Sequence, residues 1–377
     1  MNVVVLGAGL VGGPMALDLA HDDDINVTVV DKQPHALEKL VSREPRIATK
    51  NADLSDPRAV TALVSEFDFV LSAVPGFLGY QTLQACINAG KNVVDIAFFS
   101  ENPFDLDELA KKNGVIAIVD CGVAPGMSNV LIGHVDQILD RTDSALIYVG
   151  GLPEIREWPY EYKAGFSPID VIEEYTRPAR YVENGHVVVR PALSDPEFID
   201  FPQMGTLEAF NTDGLRTLAD TIDAPNLKEK TLRYPGHIEK MTVLRETGFF
   251  DTEPIDIGGS KISPIDFTTR LLFPKWKLEQ GDVDITVMKV IVEGEVSGKS
   301  KRFTYELLDR YDPASGVHSM ARTTGYTATV ALRLLAEGLY TTPGITPPEF
   351  LGRHDSCVDF LLAGLKERGV KYEETVD

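Results

Sequence analysis

The sequence has few cysteines, a shortage of basic residues and no long apolar run. Its three cysteines, Cys86, Cys121 and Cys357, are too scattered for a disulfide framework or a Cys-x-x-Cys metal site. Lysine and arginine (36) are outnumbered by aspartate and glutamate (57), and the net charge of −21 argues against nucleic acid or an anionic membrane as a partner. No apolar run has the length of a membrane span. These absences predict a cytoplasmic globular protein.

A glycine-rich loop follows the first β-prone run. Asn2–Leu6 leads into a Gly-x-Gly-x-x-Gly pattern formed by Gly7, Ala8, Gly9, Leu10, Val11 and Gly12. Where a strand becomes a helix in this way, backbone N–H groups and the helix dipole attract a pyrophosphate. The first glycine makes the turn, the second lets the phosphate approach, and the third packs helix on strand. The pattern therefore predicts a dinucleotide site.

The next β-prone run, Ile25–Val30, ends in Asp31, where an acidic residue is expected to meet the ribose hydroxyls. A carboxylate there repels a 2′-phosphate, so NAD is predicted, with NADP as the less favoured alternative because Lys32 is adjacent. Asp53 and Leu54 lie in a later turn that is expected beside the adenine.

Strand and helix patterns alternate through the first third of the chain, which is typical of a doubly wound parallel sheet. Hairpin signals then take over, including Asn184-Gly185 between two β-prone runs and a Gly294–Gly298 connection further on. A long helix is predicted over Ser319–Glu337. We predict an α/β fold with a Rossmann-type domain (1–125), an inserted α+β domain on a largely antiparallel sheet (126–318), and C-terminal helices that return to the first domain (319–377).

Ligands of such folds bind at the carboxyl ends of the strands. The buried run Phe69–Val74 stops at Pro75-Gly76, so Val74, Pro75 and Gly76 are expected on the nicotinamide side, unless they form a plain turn. Asp95 and Cys121 also follow strands. Asp95 is a candidate catalytic group or a cap, and Cys121 is a candidate nucleophile or a small buried filler.

Two arginines and one histidine stand beside turns in the second domain. Arg177 and Arg233 suit a carboxylate substrate, because the guanidinium fork matches a carboxylate, although surface arginines are common. His237 follows a Pro-Gly turn at a predicted helix start, where the dipole lowers its basicity and leaves a neutral imidazole able to accept a proton. No histidine has a partner at metal-ligand spacing, and no metal site is predicted.

Five segments together resemble the saccharopine dehydrogenase superfamily, and most closely its L-lysine 6-dehydrogenase branch. They are Gly7–Gly12, Gly122–Asn129, Tyr148–Pro153, Thr231–His237 and Met320–Gly325. The resemblance implies a Rossmann domain, an inserted domain whose sheet binds substrate, and a homodimer or larger oligomer. It also implies substrate contacts at Gly122, Pro125, Gly126, Gly151 and Thr324.

One departure from the family pattern bears on the substrate. The saccharopine reductases of the superfamily usually carry an Asp before the Pro-Gly and an Asp-His pair after it, whereas this sequence has Ala124, Ser128 and Asn129. The departure disfavours saccharopine and favours the lysine-type branch.

The leading hypothesis is an NAD-dependent dehydrogenase that oxidises an amino-acid amine, most specifically the ε-amine of L-lysine. His237 is the predicted base, with Asp95 second and Cys121 as a further catalytic candidate. Two alternatives remain open: a saccharopine-type or carboxynorspermidine-type reductase that joins an amine to an aldehyde, and a non-catalytic dinucleotide sensor.

Overall fold

The computed structural model describes residues 1–279 and 281–377, which form two compact units. Unit 1 comprises Met1–Ile138 and Met320–Lys371, and unit 2 comprises Leu139–Ser319 and Tyr372–Asp377. The predicted boundaries differ from these at two places. The helix that follows residue 126 belongs to unit 1, because its Gly133 packs directly on the backbone of Glu349. The last residues belong to unit 2, because they form a strand of its sheet.

Unit 1 is built on a seven-stranded parallel sheet with the order β17-β6-β5-β4-β1-β2-β3, where elements are numbered along the whole chain. Its strands are Asn2–Leu6 (β1), Asn26–Asp31 (β2), Ala48–Asn51 (β3), Phe69–Ser72 (β4), Asn92–Asp95 (β5), Ile116–Ile118 (β6) and Gly344–Thr346 (β17). This strand order changes direction between β1 and β4, which is the topological switch point of a Rossmann sheet. The predicted doubly wound parallel sheet is confirmed.

Helices accompany the strands of this sheet. They are Gly12–Leu19 (α1), Pro34–Arg43 (α2), Pro57–Val64 (α3), Gly76–Asn88 (α4), Asp107–Asn113 (α5), Met127–Ile138 (α6), Ser319–Ala336 (α11), Pro348–Gly352 (α12) and Asp355–Glu367 (α13). Val3–Leu6 of β1 are fully buried, as a central strand covered on both faces must be. The unbroken apolar run in the sequence has this physical cause.

Unit 2 contains a nine-stranded mixed sheet among its described residues, ordered β10-β11-β12-β7-β15-β16-β18, with β8 joining β12 to β9. Its strands, together with a separate hairpin of β13 and β14, are Arg141–Pro153 (β7), Ala179–Glu183 (β8), His186–Arg190 (β9), Glu197–Phe201 (β10), Gly205–Asn211 (β11), Asn226–Arg233 (β12), Ile255–Ile257 (β13), Ser260–Ile262 (β14), Asp284–Val296 (β15), Lys299–Arg310 (β16) and Tyr372–Val376 (β18). Its helices are Pro168–Thr176 (α7), Leu218–Thr221 (α8), His237–Glu246 (α9) and Pro264–Trp276 (α10).

The sheet of unit 2 is largely antiparallel, as predicted, with β12 parallel to β7 as the exception. The hairpin at Asn184-Gly185 has φ values of 52° and 77°, which suit a two-residue turn with both residues left-handed. The predicted connection over Gly294–Gly298 is wrong in length. β15 continues through Val296, and only Ser297 and Gly298 form the turn, with φ values of 52° and 74°. Of the two glycines, Gly294 therefore lies inside strand β15 and only Gly298 lies in the turn.

Within the described residues, no helix combines the length and apolar character needed to cross a membrane.

Candidate functional site

The glycine-rich loop of unit 1 has a different constraint at each glycine. Gly7 has φ +105°, and a Cβ there would lie 2.7 Å from the carbonyl oxygen of Ala73. A Cβ on Gly12 would lie 2.2 Å from the carbonyl oxygen of Gly7. A Cβ on Gly9 would meet no atom of the described chain within 4 Å, apart from its own neighbours. The protein itself therefore leaves room at Gly9, and a pyrophosphate over the start of α1 fits that room.

Asp31 lies at the carboxyl end of β2 and is bonded to the same loop. One carboxylate oxygen accepts the N–H of Ala8 at 2.7 Å, and the other accepts the N–H of Gln33 at 2.8 Å. Lys32 lies near Asp53, whose pKa is lowered first by hydrogen bonds from Ser55 and to a smaller extent by that lysine. The edge of the sheet thus carries two carboxylates and one ammonium group.

The predicted adenine turn borders a surface depression of about 290 Å³. Asp53 and Leu54 line it together with Ala59 and Leu63 of α3. Their contact with adenine stays a prediction.

The predicted nicotinamide residues follow β4 directly. The N–H of Ala73 donates to the carbonyl of Leu6 at 2.9 Å, so the chain that leaves β4 runs beside the chain that leaves β1. Val74 is buried, Pro75 follows it, and Gly76 is the first residue of α4. These residues lie at the switch point next to Gly7, which is where a Rossmann sheet places its ligand crevice.

Asp95 and Cys121 are brought together at the ends of β5 and β6. Both are buried, and the N–H of Cys121 donates to the carbonyl of Asp95 at 3.0 Å. Burial, and secondarily the negative charge of Asp95, raises the pKa of the Cys121 thiol well above its ordinary value. A thiol whose pKa is raised in this way resists ionisation, which favours a filler over a nucleophile.

The loop after Cys121 folds tightly on itself. The N–H of Gly122 donates to the carbonyl of Pro125 at 3.0 Å, across a cis peptide bond between Ala124 and Pro125. Gly126 has φ +141°, and a Cβ there would overlap the backbone of Gly122. The methyl of Thr324, on α11, lies 3.2 Å from the position of a Cβ on Gly122. Three of the predicted substrate contacts, Gly122, Pro125 and Gly126, thus form one compact turn, and a fourth, Thr324, lies beside it on α11.

Ser128 and Asn129 are fully buried and hydrogen-bonded within unit 1. The Ser128 hydroxyl donates to the Asn129 side-chain oxygen at 3.0 Å, and the Asn129 amide donates to a Glu349 oxygen at 3.1 Å. At the positions where the sequence departs from the saccharopine reductase pattern, the side chains therefore tie α6 to α12.

The histidine and the arginine predicted in unit 2 share one partner. His237 Nε2 lies 3.0 Å from the Tyr175 hydroxyl, and Arg233 Nε donates to the same hydroxyl at 3.2 Å. His237 Nδ1 lies 2.8 Å from the carbonyl oxygen of Tyr160, and the imidazole is fully buried. Burial, and then the charge of Arg233, lowers the pKa of His237 to about 3. This lowering comes from burial and Arg233 and not from the helix dipole invoked in the prediction, and both ring nitrogens have hydrogen-bond partners.

Each of the three guanidinium nitrogens of Arg233 has a protein partner. Its Nη2 pairs with Glu174 at 2.5 Å, its Nη1 donates to the carbonyl of Leu232 at 2.9 Å, and its guanidinium lies 4.5 Å from the Tyr162 ring centroid. Burial, only partly offset by Arg233, raises the pKa of Glu174. Arg233 already has a carboxylate partner, so a substrate carboxylate would have to displace Glu174.

The other two predicted substrate residues of unit 2, Arg177 and Gly151, have different neighbours. Arg177 pairs with Glu173, one turn earlier on α7, at 3.2 Å, and its side chain is 14% exposed. Gly151 lies within β7, opposite Thr286 of β15. Their roles in substrate binding stay predictions.

A buried carboxylate near Arg233 was missed by the sequence reasoning. Glu229 lies two positions before Thr231 on β12, accepts the Thr212 hydroxyl at 2.5 Å and accepts the Gly214 N–H at 3.1 Å. Burial, partly opposed by the Thr212 hydrogen bond, raises its pKa to about 7. The alternation Glu229, Thr231, Arg233 places all three on one face of the strand, and that period of two was the available signal.

Over the described ranges, 1–279 and 281–377, no group of three or more His, Cys, Asp or Glu residues could hold a metal ion.

The Rossmann sheet and its open glycine loop define a dinucleotide-binding α/β protein. Residues 3–118 match the family model described as the saccharopine dehydrogenase NADP binding domain, and residues 122–370 match the saccharopine dehydrogenase C-terminal domain. The chain belongs to the saccharopine dehydrogenase family, so it is an oxidoreductase with a nicotinamide cofactor.

Curated relatives agree with this assignment. Saccharopine dehydrogenase [NADP(+), L-glutamate-forming] of Schizosaccharomyces pombe is 24% identical, and the match covers 100% of this chain and 99% of the relative. Alpha-aminoadipic semialdehyde synthase of Bos taurus is 26% identical over 67% of this chain, which corresponds to 29% of that longer protein. The solved apo saccharopine dehydrogenase of Saccharomyces cerevisiae has a TM-score of 0.80 with 22% identity, covering 100% of this chain and 99% of that one. This last match confirms the fold.

Proposed function

We propose that the protein is a nicotinamide-dependent dehydrogenase that oxidises the carbon–nitrogen bond of an amino-acid amine, with the ε-amine of L-lysine as substrate. The main support is the open space at Gly9 beside the start of α1, which a dinucleotide pyrophosphate fits. Membership of the saccharopine dehydrogenase family agrees with it. The N–H groups at the start of α1 would hold the pyrophosphate, and Asp31 would face the ribose. The bound nicotinamide supplies the acceptor for a hydride from the carbon that bears nitrogen.

Different observations support NAD and NADP as the dinucleotide. The family model and the S. pombe relative both name NADP. On this chain, Asp31 and Asp53 outnumber Lys32 at the ribose edge, and a 2′-phosphate would meet that excess negative charge. We propose NAD on this local charge, with NADP as the competing cofactor in the same assay.

The proposal for lysine rests on the positions of Ala124, Ser128 and Asn129. Ser128 and Asn129 are buried in hydrogen bonds to each other and to Glu349, so they offer no charge to a second carboxylate on the substrate. L-Lysine has one carboxylate, whereas saccharopine has three. Arg177 is the better of the two predicted carboxylate ligands, because its partner Glu173 is 45% exposed and such ion pairs exchange easily.

The amine must lose a proton before hydride transfer. A base with a pKa of about 3 and both nitrogens hydrogen-bonded is poorly suited to accept it, so His237 loses its place as the first candidate. We propose Asp95, at the carboxyl end of β5, as the proton acceptor. Loss of hydride from C6 and of the amine proton gives an imine, which water converts to the semialdehyde and ammonia, and the semialdehyde cyclises.

A saccharopine-type reaction is the second candidate, because the curated relatives carry that name. To separate the two, NAD⁺ or NADP⁺ is supplied with L-lysine, other amino acids, diamines and saccharopine, and absorbance of the reduced nicotinamide is followed. We expect the nicotinamide to be reduced when L-lysine is supplied and not when any of the other compounds is supplied. Reduction with saccharopine and none with lysine contradicts the substrate assignment, and silence with every amine contradicts the proposed activity.

A further inference from the structure

Three residues on one face of helix α11 contact the α1 region. Gly325, Thr329 and Arg333 are spaced by four, so they share one face of α11. A Cβ on Gly325 would lie 3.0 Å from Met15 Cγ and 3.4 Å from Val11 Cγ1. Gly325 therefore sits against the first turn of α1, the end that the proposed pyrophosphate occupies.

The same face of α11 holds the other end of α1. The Thr329 hydroxyl donates to Asp18 Oδ2 at 2.5 Å, and Arg333 Nη1 donates to that oxygen at 2.7 Å. Arg333 Nε donates to Asp22 at 2.7 Å, and its Nη2 donates to the Asp18 carbonyl at 3.1 Å. An arginine at the last turn of a helix also complements its dipole.

Asp18 is buried, and its second oxygen is also occupied. Arg368, just after α13, donates its Nε to Asp18 Oδ1 at 2.7 Å. A buried carboxylate held by two arginines and a hydroxyl has little freedom to slide. The hydrogen bonds to Asp18 limit movement of α1 along its own axis, and the close approach at Gly325 sets the distance between α1 and α11.

On an adjacent position of α11, Thr324 touches the Gly122 turn with its methyl, 3.2 Å from a Cβ placed on Gly122. One helix therefore contacts both the glycine-rich loop helix and the turn predicted to meet substrate. We propose that Gly325 and Arg333 are positioning residues: α11 sets the place of the phosphate-binding end of α1 relative to the Gly122 turn. This inference rests on the proposed dinucleotide site at Gly7–Gly12.

The test compares two alanine substitutions of similar size. Gly325→Ala pushes against Met15 and Val11 of the α1 region, whereas Gly364→Ala, on α13, pushes against Val330 on α11, whose side chain supplies its three nearest atoms, the first at 2.7 Å. Binding of NADH and NADPH is titrated, and thermal unfolding is recorded for each variant. We expect Gly325→Ala to raise the dissociation constant of the dinucleotide that the wild type binds by roughly tenfold, because overpacking moves the loop helix. Gly364→Ala should lower the unfolding temperature without this loss of binding.

Equal weakening by the two variants, or no weakening by Gly325→Ala, overturns the inference and leaves the proposed dinucleotide site intact. A wild type that binds neither NADH nor NADPH overturns both. If Gly325→Ala does not fold, Arg333→Lys carries the test, because it keeps the charge but loses the forked contact with Asp18 and Asp22. A rise of roughly threefold in the dissociation constant supports the inference, and an unchanged constant overturns it.

Discussion

The two units treat their predicted functional residues in opposite ways. In unit 1 the glycine-rich loop leaves space for a ligand at Gly9, and Asp31 binds the backbone of that loop. In unit 2 the predicted residues His237 and Arg233 are buried, and their polar atoms already have protein partners. A ligand could enter the open loop of unit 1 without displacing a protein group, whereas in unit 2 it would have to break existing contacts of His237 or Arg233. A site made of backbone N–H groups can therefore be recognised by the open space beside it. A side chain can act on a ligand only if its present hydrogen bonds and ion pairs can break.

The largest effect is expected from filling the space at Gly9. Gly9→Leu should raise the dissociation constant of the dinucleotide by about 100-fold, because the side chain occupies the room where the pyrophosphate would lie. The free energy of unfolding should change by no more than about 0.5 kcal/mol, because a Cβ there has no atom of the described residues within 4 Å, its chain neighbours aside. Calorimetric titration and denaturant unfolding measure the two quantities.

Gly12→Ala is the matched control for Gly9→Leu. Its Cβ would lie 2.2 Å from the carbonyl oxygen of Gly7, so it should reduce stability as well as binding. If Gly9→Leu destabilises the protein as strongly as Gly12→Ala, the contrast between an open and a packed glycine is wrong.

Removing Arg233 tests the closed arrangement in unit 2. Arg233→Met should cost about 2 to 3 kcal/mol in free energy of unfolding, because it leaves Glu174, which is only 18% exposed, without its partner. The double variant Arg233→Met with Glu174→Gln should recover part of that loss. Denaturant unfolding of the three proteins checks this, and a stable single variant would show that the pair is not buried as described.

Asp31 sharpens the choice of cofactor. Asp31→Ser should shift the ratio of kcat/KM for NAD over NADP toward NADP by about tenfold, because it removes a carboxylate from the ribose edge. Lys32→Gln is the control and should shift the ratio the other way. Steady-state kinetics with both cofactors measure the ratio, and a wild type that already prefers NADP would contradict the proposed role of Asp31.

The smallest effect concerns pH and stability. The pKa of Glu229 is raised from 4.5 to about 7 in the folded protein, so the unfolded chain releases its proton first as pH rises. Glu229 therefore lowers stability progressively between about pH 4.5 and 7. His237, with its pKa lowered from 6.5 to about 3, acts in the opposite direction and lowers stability as pH falls below about 6.5.

Glu229→Gln should remove the first of these contributions while its amide oxygen can still accept the Gly214 N–H. Unfolding by denaturant at intervals from pH 4.5 to 8 should show a smaller loss of stability toward pH 7 for the variant. The idea of a buried, protonated Glu229 fails if the two pH profiles are parallel.

The same contrast explains what could be predicted from the sequence. The Rossmann order, the glycine loop and Asp31 follow from local patterns, because a strand, a turn and a helix start are encoded by neighbouring residues. The partners of His237 could not be found this way. Tyr160 and Tyr175 lie about 60 to 80 residues away in the chain, and only the packing of unit 2 brings them to the imidazole. Glu229 was missed for a similar reason, because its partners Thr212 and Gly214 lie 17 and 15 residues earlier in the chain and only packing brings them to the carboxylate.

The place of the dinucleotide is the central claim, and a crystal structure of the protein grown with NADH or NADPH tests it most directly. The account predicts pyrophosphate oxygens within hydrogen-bond distance of the N–H groups between Gly9 and Gly12, with the ribose beside Asp31. A dinucleotide bound elsewhere on the molecule, with the glycine loop of unit 1 making no contact to it, would contradict the account.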